Sequence, residues 1–191
     1  MSHYVGRHAE LYDVFYANKP YRDETAFVHD CLKKHGLGST KNLLELACGT
    51  GTHALFLEKL GYHVVAIDNS DDMLSCAKEK AAKINSKIDF QKQDIRSLNI
   101  SGHLFDAALC LFDSIGYVET NEALITVLKG VHRHLRQDGL FLFEFWHAGA
   151  MLAHYDPIRV RRWSIPNAEL LRIAETELDP KKQVGIVSYH I

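Results

Sequence analysis

Two glycines follow an apolar run in the first third of the chain, and an aspartate ends the next apolar run. Gly49 and Gly51 come directly after the segment Asn42–Cys48. Since glycine has no Cβ, the backbone can turn sharply there, a ligand can approach closely, and the N–H groups of a following helix can hold an anion. The two oxygens of Asp68 can accept hydrogen bonds from a pair of ribose hydroxyls. Together these residues predict a site for an adenosine-containing cofactor, the alternative being a purely structural turn.

Two further acidic residues favour one adenosine cofactor over another. Glu45 lies inside the predicted first strand, where it can meet a cationic amino group, which S-adenosylmethionine has and a pyrophosphate lacks. Asp94 lies at the tip of the third strand, where it can accept from an adenine amino group with Ile95 against the ring face. The segment Gly49–Ala54 also satisfies the dinucleotide fingerprint, so an NAD-dependent oxidoreductase remains the alternative. A dinucleotide domain generally begins with its fingerprint strand, whereas a long tyrosine-rich segment precedes the glycines here.

Alternating strands and helices must position these residues. Each predicted strand is nearly continuous in apolar residues, which is typical of a parallel sheet covered on both faces. We therefore predict a doubly wound, Rossmann-like α/β fold with two N-terminal helices, in which ligands bind outside the carboxyl ends of the strands. The predicted strands are Asn42–Cys48, His63–Asp68, Ile88–Gln93, Phe105–Phe112 and Leu140–Trp146.

Length, composition and charge exclude several classes of partner. The chain has 191 residues, of which 47% are hydrophobic and 24% charged, as is usual for a single globular domain. The 22 Lys and Arg against 24 Asp and Glu give a net charge of -2, which provides no reason to expect nucleic acid or a membrane as partner. No signal peptide and no apolar run of spanning length is found, so we expect a cytoplasmic protein with a small-molecule substrate. The four cysteines are far apart and form no CxxC pair, and no metal site is predicted.

Four segments, in their order and spacing, resemble the class I S-adenosylmethionine-dependent methyltransferases: LLELACGTG, VVAIDNSDDML, QKQDIRSL and FDAALCLFDSIGYV. The likeness covers about Tyr12 to His147 and implies a methyltransferase that uses S-adenosylmethionine. One departure is Ala47, where the family pattern most often has glycine. The resemblance implies that Glu45, Ala47, Gly49 and Gly51 surround the methionine end, that Asp68 binds the ribose, that Met73, Asp94 and Ile95 contact the adenine, and that Leu111 and Phe112 lie beneath the cofactor.

The chemistry follows from the cofactor. A sulfonium methyl group is already activated, so the enzyme mainly has to place a nucleophile in line with the S–CH3 bond in a pocket closed to water. The segment DSIGYV resembles the part that faces the acceptor in sugar-amine N-methyltransferases, which makes Tyr117 the candidate for orienting the acceptor. Asp113 is either a catalytic carboxylate or a turn carboxylate. We predict methyl transfer to a small-molecule amine, with O-methylation or a cofactor-binding protein without turnover as alternatives.

The tyrosines before the first strand are candidates for a cover over the cofactor. In relatives with a similar opening this segment closes over the site, and Tyr21 is the residue that we expect to contact the cofactor. For Tyr12 and Tyr16, one helical turn apart, packing in the core is an equal alternative.

The last part of the chain is predicted to form three strands, at Ile158–Trp163, Leu170–Leu178 and Val184–Ile191. The resemblance implies an antiparallel insertion on the acceptor side of the site, in a truncated form that lacks the last two core strands; alternatively, two of these segments supply those strands. An uncovered edge of strand five would favour a homodimer. Arg159–Trp163 is a short basic strand, either a solvated face or a site for a phosphate-bearing acceptor.

The predicted organisation is thus one methyltransferase domain over 1–191, with N-terminal cap helices at 1–40, a cofactor-binding core at 41–147 and the antiparallel insertion at 157–191.

Overall fold

The structure of the chain is a computed structural model that describes residues 6–102, 104–166 and 168–191. The chain divides into two compact units, one ending at Phe145 and the other beginning at Trp146. Within the described residues, no helix combines the length and apolar character needed to cross a membrane.

The first unit is a five-stranded sheet with helices packed against it. Neighbouring strands are parallel, in the order β3-β2-β1-β4-β5. This confirms the predicted doubly wound, Rossmann-like fold. The strands are β1 Asn42–Leu46, β2 His63–Asp68, β3 Asp89–Lys92, β4 Phe105–Cys110 and β5 Leu135–Phe143. The helices are α1 Arg7–Phe15, α2 Tyr21–His35, α3 Thr52–Lys59, α4 Asp71–Lys83 and α5 Asn121–His134, with two short 3-10 helices at Ile95–Ser97 and Ser114–Val118.

Both faces of this sheet are buried, which explains why its strands lack polar alternation. In β1, Leu43 packs into one core cluster, which includes Val28 and Leu57 from the helices. Leu44 and Leu46 point to the opposite cluster, which contains Val127 from α5.

Two strands end or begin elsewhere than the apolar pattern predicts. β4 stops at Cys110 instead of Phe112, because Phe112 and Asp113 have φ of 57° and 58° and turn the backbone away from the sheet. β5 begins at Leu135 instead of Leu140, because α5 ends at His134 and a register shift opposite Phe105 and Ala107 accommodates the polar residues that follow.

The second unit consists of a short helix and an antiparallel sheet. The helix α6 spans Ala148–Ala153, and the strands are β6 Ile158–Ile165, β7 Ala168–Asp179 and β8 Val184–His190, in the order β6-β7-β8. All three predicted segments therefore form a separate antiparallel sheet. The alternative in which two of them supply further strands of the parallel sheet is wrong.

Candidate functional site

The candidate site lies where the strand order reverses, between β1 and β4. At such a switch point the connections from two neighbouring strands diverge and open a crevice at their carboxyl ends. The residues that the sequence selects follow four strand ends at this edge. Ala47, Gly49 and Gly51 follow β1, Asp68 ends β2, Asp94 and Ile95 follow β3, and Leu111, Phe112, Asp113 and Tyr117 follow β4.

Left-handed backbone is concentrated beside the crevice. Ala47, after β1, has a φ of 52°, and Phe112 and Asp113, after β4, have φ of 57° and 58°. A residue with a Cβ loses about 1–2 kcal/mol in this conformation, so the surrounding structure has to hold it in place. The φ of Ala47 also explains why glycine is usual at this position in the family pattern.

The two glycines of the turn have different neighbours. Both have positive φ, 56° at Gly49 and 74° at Gly51. A Cβ built on Gly49 has no atom of the described residues within 4 Å, whereas one built on Gly51 comes within 2.8 Å of the Phe90 ring and 3.1 Å of the Ala77 Cβ. The open side of Gly49 is therefore the place where a ligand can approach the backbone. Gly51, which the sequence assigns to the same role, is needed for packing against the core.

Asp68 ties the glycine turn to the end of β2. Its Oδ2 accepts a hydrogen bond from Gly49 N at 2.9 Å, and its Oδ1 accepts from Ser70 N at 2.8 Å. Burial raises the pKa of the carboxyl group, while these N–H donors oppose that rise by stabilising the charged form. Each carboxylate oxygen accepts more than one hydrogen bond, so Asp68 can bind ribose hydroxyls while it holds the turn.

Glu45 is the most unusual group of the site. It lies in β1, is 2% exposed, and its Oε2 has no hydrogen-bond partner among the described residues. Burial, followed by the nearby charge of Asp68, raises the pKa of Glu45 to about 8. A buried carboxylate without a partner is costly, so the position calls for a cation that would pair with it.

His53 and Glu24 support this position, and sequence patterns did not identify either. His53 Nε2 lies 2.8 Å from Glu24 Oε2, and His53 Nδ1 lies 3.9 Å from Glu45 Oε1. Burial lowers the pKa of His53, so the imidazole is neutral at pH 7. Lys19 forms an ion pair with Glu24, and its ammonium lies 4.4 Å from the centre of the Phe112 ring. This row of side chains connects β1 with α2 and the end of β4.

A second polar cluster, also missed, fastens α1 to the glycine turn. Lys80 Nζ lies 2.7 Å from Asp13 Oδ2 and donates to Thr50 Oγ1 at 2.9 Å and to Thr52 Oγ1 at 2.8 Å. Thr50 Oγ1 in turn donates to Asp13 Oδ1 at 2.7 Å. These residues are far apart in the sequence, and no local motif links them. The cluster places α1 beside the turn, as the expected cover requires.

The residues expected near an adenine lie at the ends of β2 and β3. Met73 is 2% exposed in the first turn of α4, and Ile95 is half-buried against the core. Asp94 accepts hydrogen bonds from Arg96, through the backbone N at 2.8 Å and the guanidinium Nε at 2.9 Å. The hydrogen bond from the Arg96 side chain lowers the pKa of Asp94. Arg96 thus holds Asp94 ionised as an acceptor, a role that the motif alone does not reveal.

The residues after β4 occupy three different settings. Leu111 is buried in the core, and Phe112 N donates to Glu144 Oε2 at 2.9 Å. The Tyr16 ring meets the Phe112 ring edge-on at 5.1 Å between centres. Tyr117 lies in the 3-10 helix after Asp113 and is 46% exposed. Tyr117 is therefore accessible to an acceptor, whereas Leu111 can act only through packing.

The N-terminal tyrosines surround the same region. Tyr12 and Tyr16 pack ring against ring at 4.7 Å, and Tyr21 lies 4.8 Å from His53. Burial raises the pKa values of Tyr12 and Tyr21 well above the ordinary value of a phenol. Both side chains stay protonated at neutral pH and can donate hydrogen bonds, but they cannot serve as bases.

Metal chemistry has no visible basis in the described ranges, which leave out only residues 1–5, 103 and 167. No group of three or more His, Cys, Asp or Glu side chains within them is placed to hold a metal ion.

Comparison with known proteins agrees with this geometry. The chain is 33% identical to the putative methyltransferase YqeM of Bacillus subtilis, over 78% of this chain and 58% of that protein. It is 30% identical to the dTDP-3-amino-3,4,6-trideoxy-alpha-D-glucopyranose N,N-dimethyltransferase of Streptomyces venezuelae, over 73% of this chain and 57% of that protein. The chain thus spans little more than half the length of these curated relatives.

Solved structures show the same fold. The sugar N-methyltransferase KedS8 of Streptoalloteichus sp. ATCC 53650 superposes with a TM-score of 0.77 at 20% identity, covering 100% of this chain and 81% of that one. The family described as "Methyltransferase domain" matches residues 43–139, just over half of the 191 residues. The chain therefore belongs to the methyltransferase domain family, which confirms the class I S-adenosylmethionine-dependent methyltransferase predicted from its motifs.

Proposed function

We propose that this chain binds S-adenosylmethionine at the carboxyl ends of β1, β2 and β3 and that its methyl group is transferred to an amine of a small molecule. The observation that carries the proposal is Glu45, a buried carboxylate with an unpartnered Oε2 among the described residues, in the strand that leads into the glycine turn. The amino group of the cofactor is the cation that would satisfy it.

The other groups of the site fit the same cofactor. The open side of Gly49 leaves room for close approach, and Asp68 offers acceptors for the ribose hydroxyls. Asp94, kept ionised by Arg96, would accept from the adenine amino group, while Met73 and Ile95 supply apolar contacts. On this proposal, α1 and α2 would exclude water, with Tyr21 placed to contact the cofactor.

The reaction requires little from the protein's own acids and bases. S-adenosylmethionine supplies a methyl group that is already activated for transfer. A neutral amine attacks without a base, whereas a hydroxyl has to lose a proton. Because Tyr12 and Tyr21 remain protonated, they cannot take that proton. This favours an amine acceptor that arrives neutral, with Tyr117 orienting it and Asp113 as the nearest carboxylate after β4.

The names of the relatives support an amine acceptor of small size, since one of them is an N,N-dimethyltransferase of a dTDP-amino sugar. We further propose a cytoplasmic protein that forms a homodimer through the edge of β5. Among the described strands β5 hydrogen-bonds to β4 alone, and its last residue, Phe143, is 44% exposed.

Binding and turnover test the proposal in two steps. S-adenosylhomocysteine should bind with a micromolar dissociation constant in calorimetry, and NADH should not bind. Incubation with S-adenosylmethionine and amine acceptors, among them a dTDP-amino sugar and glycine, should then give methylated product by mass spectrometry. Binding of NADH without S-adenosylhomocysteine would favour the oxidoreductase. Cofactor binding without turnover of any amine or hydroxyl acceptor would leave a binding protein and contradict the proposed activity.

Matched alanine variants of the two glycines should separate ligand approach from packing. Both replacements cost about 1–2 kcal/mol of backbone strain. Gly49→Ala also places a methyl group on the open side, so it should weaken S-adenosylhomocysteine binding at least tenfold with a small fall in melting temperature. Gly51→Ala pushes a methyl group against Phe90 and Ala77, so it should lower the melting temperature further. Calorimetry and thermal denaturation of both variants check this. The reverse pattern would mean that the ligand approaches Gly51 instead.

A further inference from the structure

The three-stranded sheet of the second unit separates its charges by face. Residues directly opposite each other on neighbouring strands share a face, and successive residues of one strand alternate between faces. Arg161 lies opposite Arg172, and Arg159 lies opposite Ala174, so all three arginines share one face. This face, here called the basic face, consists of Arg159, Arg161, Trp163, Arg172, Thr176 and Tyr189.

The carboxylates of the described strand residues all lie on the other face. They are Glu169, Glu175, Glu177 and Asp179, which alternate with the residues of the basic face along β7. Two of them have cationic partners there: Arg162 Nη1 lies 3.9 Å from Glu169 Oε2, and His190 Nε2 lies 3.1 Å from Glu175 Oε2. The opposite face therefore balances its own charges, whereas the strand residues of the basic face include three arginines and no acid.

Such an arrangement does not serve folding. Like charges directly opposite each other on neighbouring strands destabilise a sheet, and Arg161 and Arg172 are such a pair. Arg161 is exposed, but Arg172 is only 6% exposed, so its charge has been brought out of water. A ligand that brings negative charge between them would turn this repulsion into attraction.

The setting of Arg172 suits a phosphate group. Its guanidinium carbon lies 5.1 Å from the centre of the Trp163 ring and 4.9 Å from that of Tyr189. Stacking on aromatic rings fixes the plane of the guanidinium, whose N–H donors radiate from its edge in a fork that matches phosphate oxygens. The side chain is thus held ready for a planar, bidentate contact.

Thr176 extends the basic face along β7. It is 5% exposed, and its Oγ1 has no hydrogen-bond partner among the described residues. It lies four residues from Arg172, a separation of about 13 Å at the usual rise of a strand. A ligand that contacts both must therefore be longer than a single phosphate.

We propose that the basic face binds the phosphate groups of the methyl acceptor, which is a nucleoside diphosphate derivative carrying an amine. That the ligand is the methyl acceptor rests on the proposed function, while the phosphate site itself does not. Of the two possibilities that the sequence leaves for Arg159–Trp163, this one makes the basic strand a binding site.

Thymidine diphosphate and inorganic pyrophosphate are the probes, titrated into the whole chain by calorimetry. Thymidine diphosphate should bind saturably and more tightly than pyrophosphate. Arg161→Gln, an exposed position where folding is not at risk, should weaken binding at least tenfold. Arg162→Gln, the adjacent residue on the opposite face, should change it less than twofold. Arg172→Lys keeps the charge but loses the planar fork, and it should weaken binding as Arg161→Gln does.

Absence of saturable binding, or equal losses in Arg161→Gln and Arg162→Gln, would overturn the inference, since the latter means diffuse attraction. Displacement of thymidine diphosphate by S-adenosylhomocysteine would place it in the cofactor site and also overturn it. S-adenosylhomocysteine binding, measured in parallel, should be unchanged in Arg161→Gln. If wild-type chain binds thymidine diphosphate but not S-adenosylhomocysteine, the proposed function fails while the phosphate site stands.

Discussion

Replacing Glu45 with glutamine should weaken binding of S-adenosylhomocysteine by roughly ten- to a hundredfold near pH 8 and at the same time stabilise the ligand-free chain. The loss corresponds to about 1.5–3 kcal/mol, the usual contribution of a hydrogen bond to a charged partner. Glutamine keeps the shape and an acceptor oxygen but has no charge to pair with the ligand's ammonium. Without ligand, the same replacement removes a carboxylate that is buried without a partner for its Oε2 among the described residues.

The pH dependence of both effects follows from the pKa of Glu45, which burial raises to about 8. Between pH 4.5 and 8 the folded chain holds a proton that the unfolded chain releases, so the stability of the ligand-free chain should fall as pH rises through this range. Pairing with an ammonium requires the ionised form, so affinity should rise about tenfold per unit between pH 6 and 7.5. Glu45→Gln should show neither slope.

The groups that face Glu45 do not blur this prediction. His53 is neutral at pH 7 because burial lowers its pKa, and burial raises the pKa of Cys110 to about 12. Burial also raises the pKa of Cys48, and Asp68 is already ionised above its own raised pKa. Calorimetry and urea denaturation at pH 6 and 7.5 give both slopes. An unchanged affinity in Glu45→Gln would show that the cation binds elsewhere.

Asp68→Ala should weaken S-adenosylhomocysteine binding by about 2–4 kcal/mol, which is roughly thirty- to a thousandfold, because it removes the charged acceptor of two ribose hydroxyls. The variant also releases the N–H groups of Gly49 and Ser70, which Asp68 holds at 2.9 and 2.8 Å. Part of the loss is therefore structural. Asp71→Ala, three residues further along and 72% exposed at its side chain, is the matched control and should leave binding unchanged.

A ligand lacking both ribose hydroxyls separates the two contributions. Wild-type chain should bind such an analogue of S-adenosylhomocysteine much more weakly than the parent compound, whereas Asp68→Ala should bind the two about equally. The non-additive part is the direct contact between Asp68 and the ribose. If the variant discriminates between the two ligands as strongly as wild type does, Asp68 acts only by holding the turn.

The order and type of the elements were readable from the sequence because local features determine them. Apolar strands separated by helical periodicity predict a parallel sheet, and the turn at Asp179-Pro180 separates two antiparallel strands. Motif spacing likewise placed Glu45, Asp68 and Asp94 at strand ends, since the carboxyl ends of parallel strands meet at one edge. Strand ends were less predictable: the apolar run of β4 continues through Phe112, and only the left-handed backbone there ends the strand.

What each residue touches was decided by the tertiary structure. Gly49 and Gly51 are the same residue type two positions apart, yet one faces open space and the other Phe90, which lies 39 positions further along the chain. The cluster of Asp13, Thr50 and Lys80 joins segments that no local pattern connects. Sequence patterns report the periodicity of neighbours along one element, whereas hydrogen bonds, burial and pKa shifts depend on side chains that the fold brings together from different elements. The amino-acid sequence alone thus determined the family, the fold and the edge of the sheet that carries the site, and the unpartnered oxygen of Glu45 and the separation of charge on the C-terminal sheet emerged only once those elements were packed and paired.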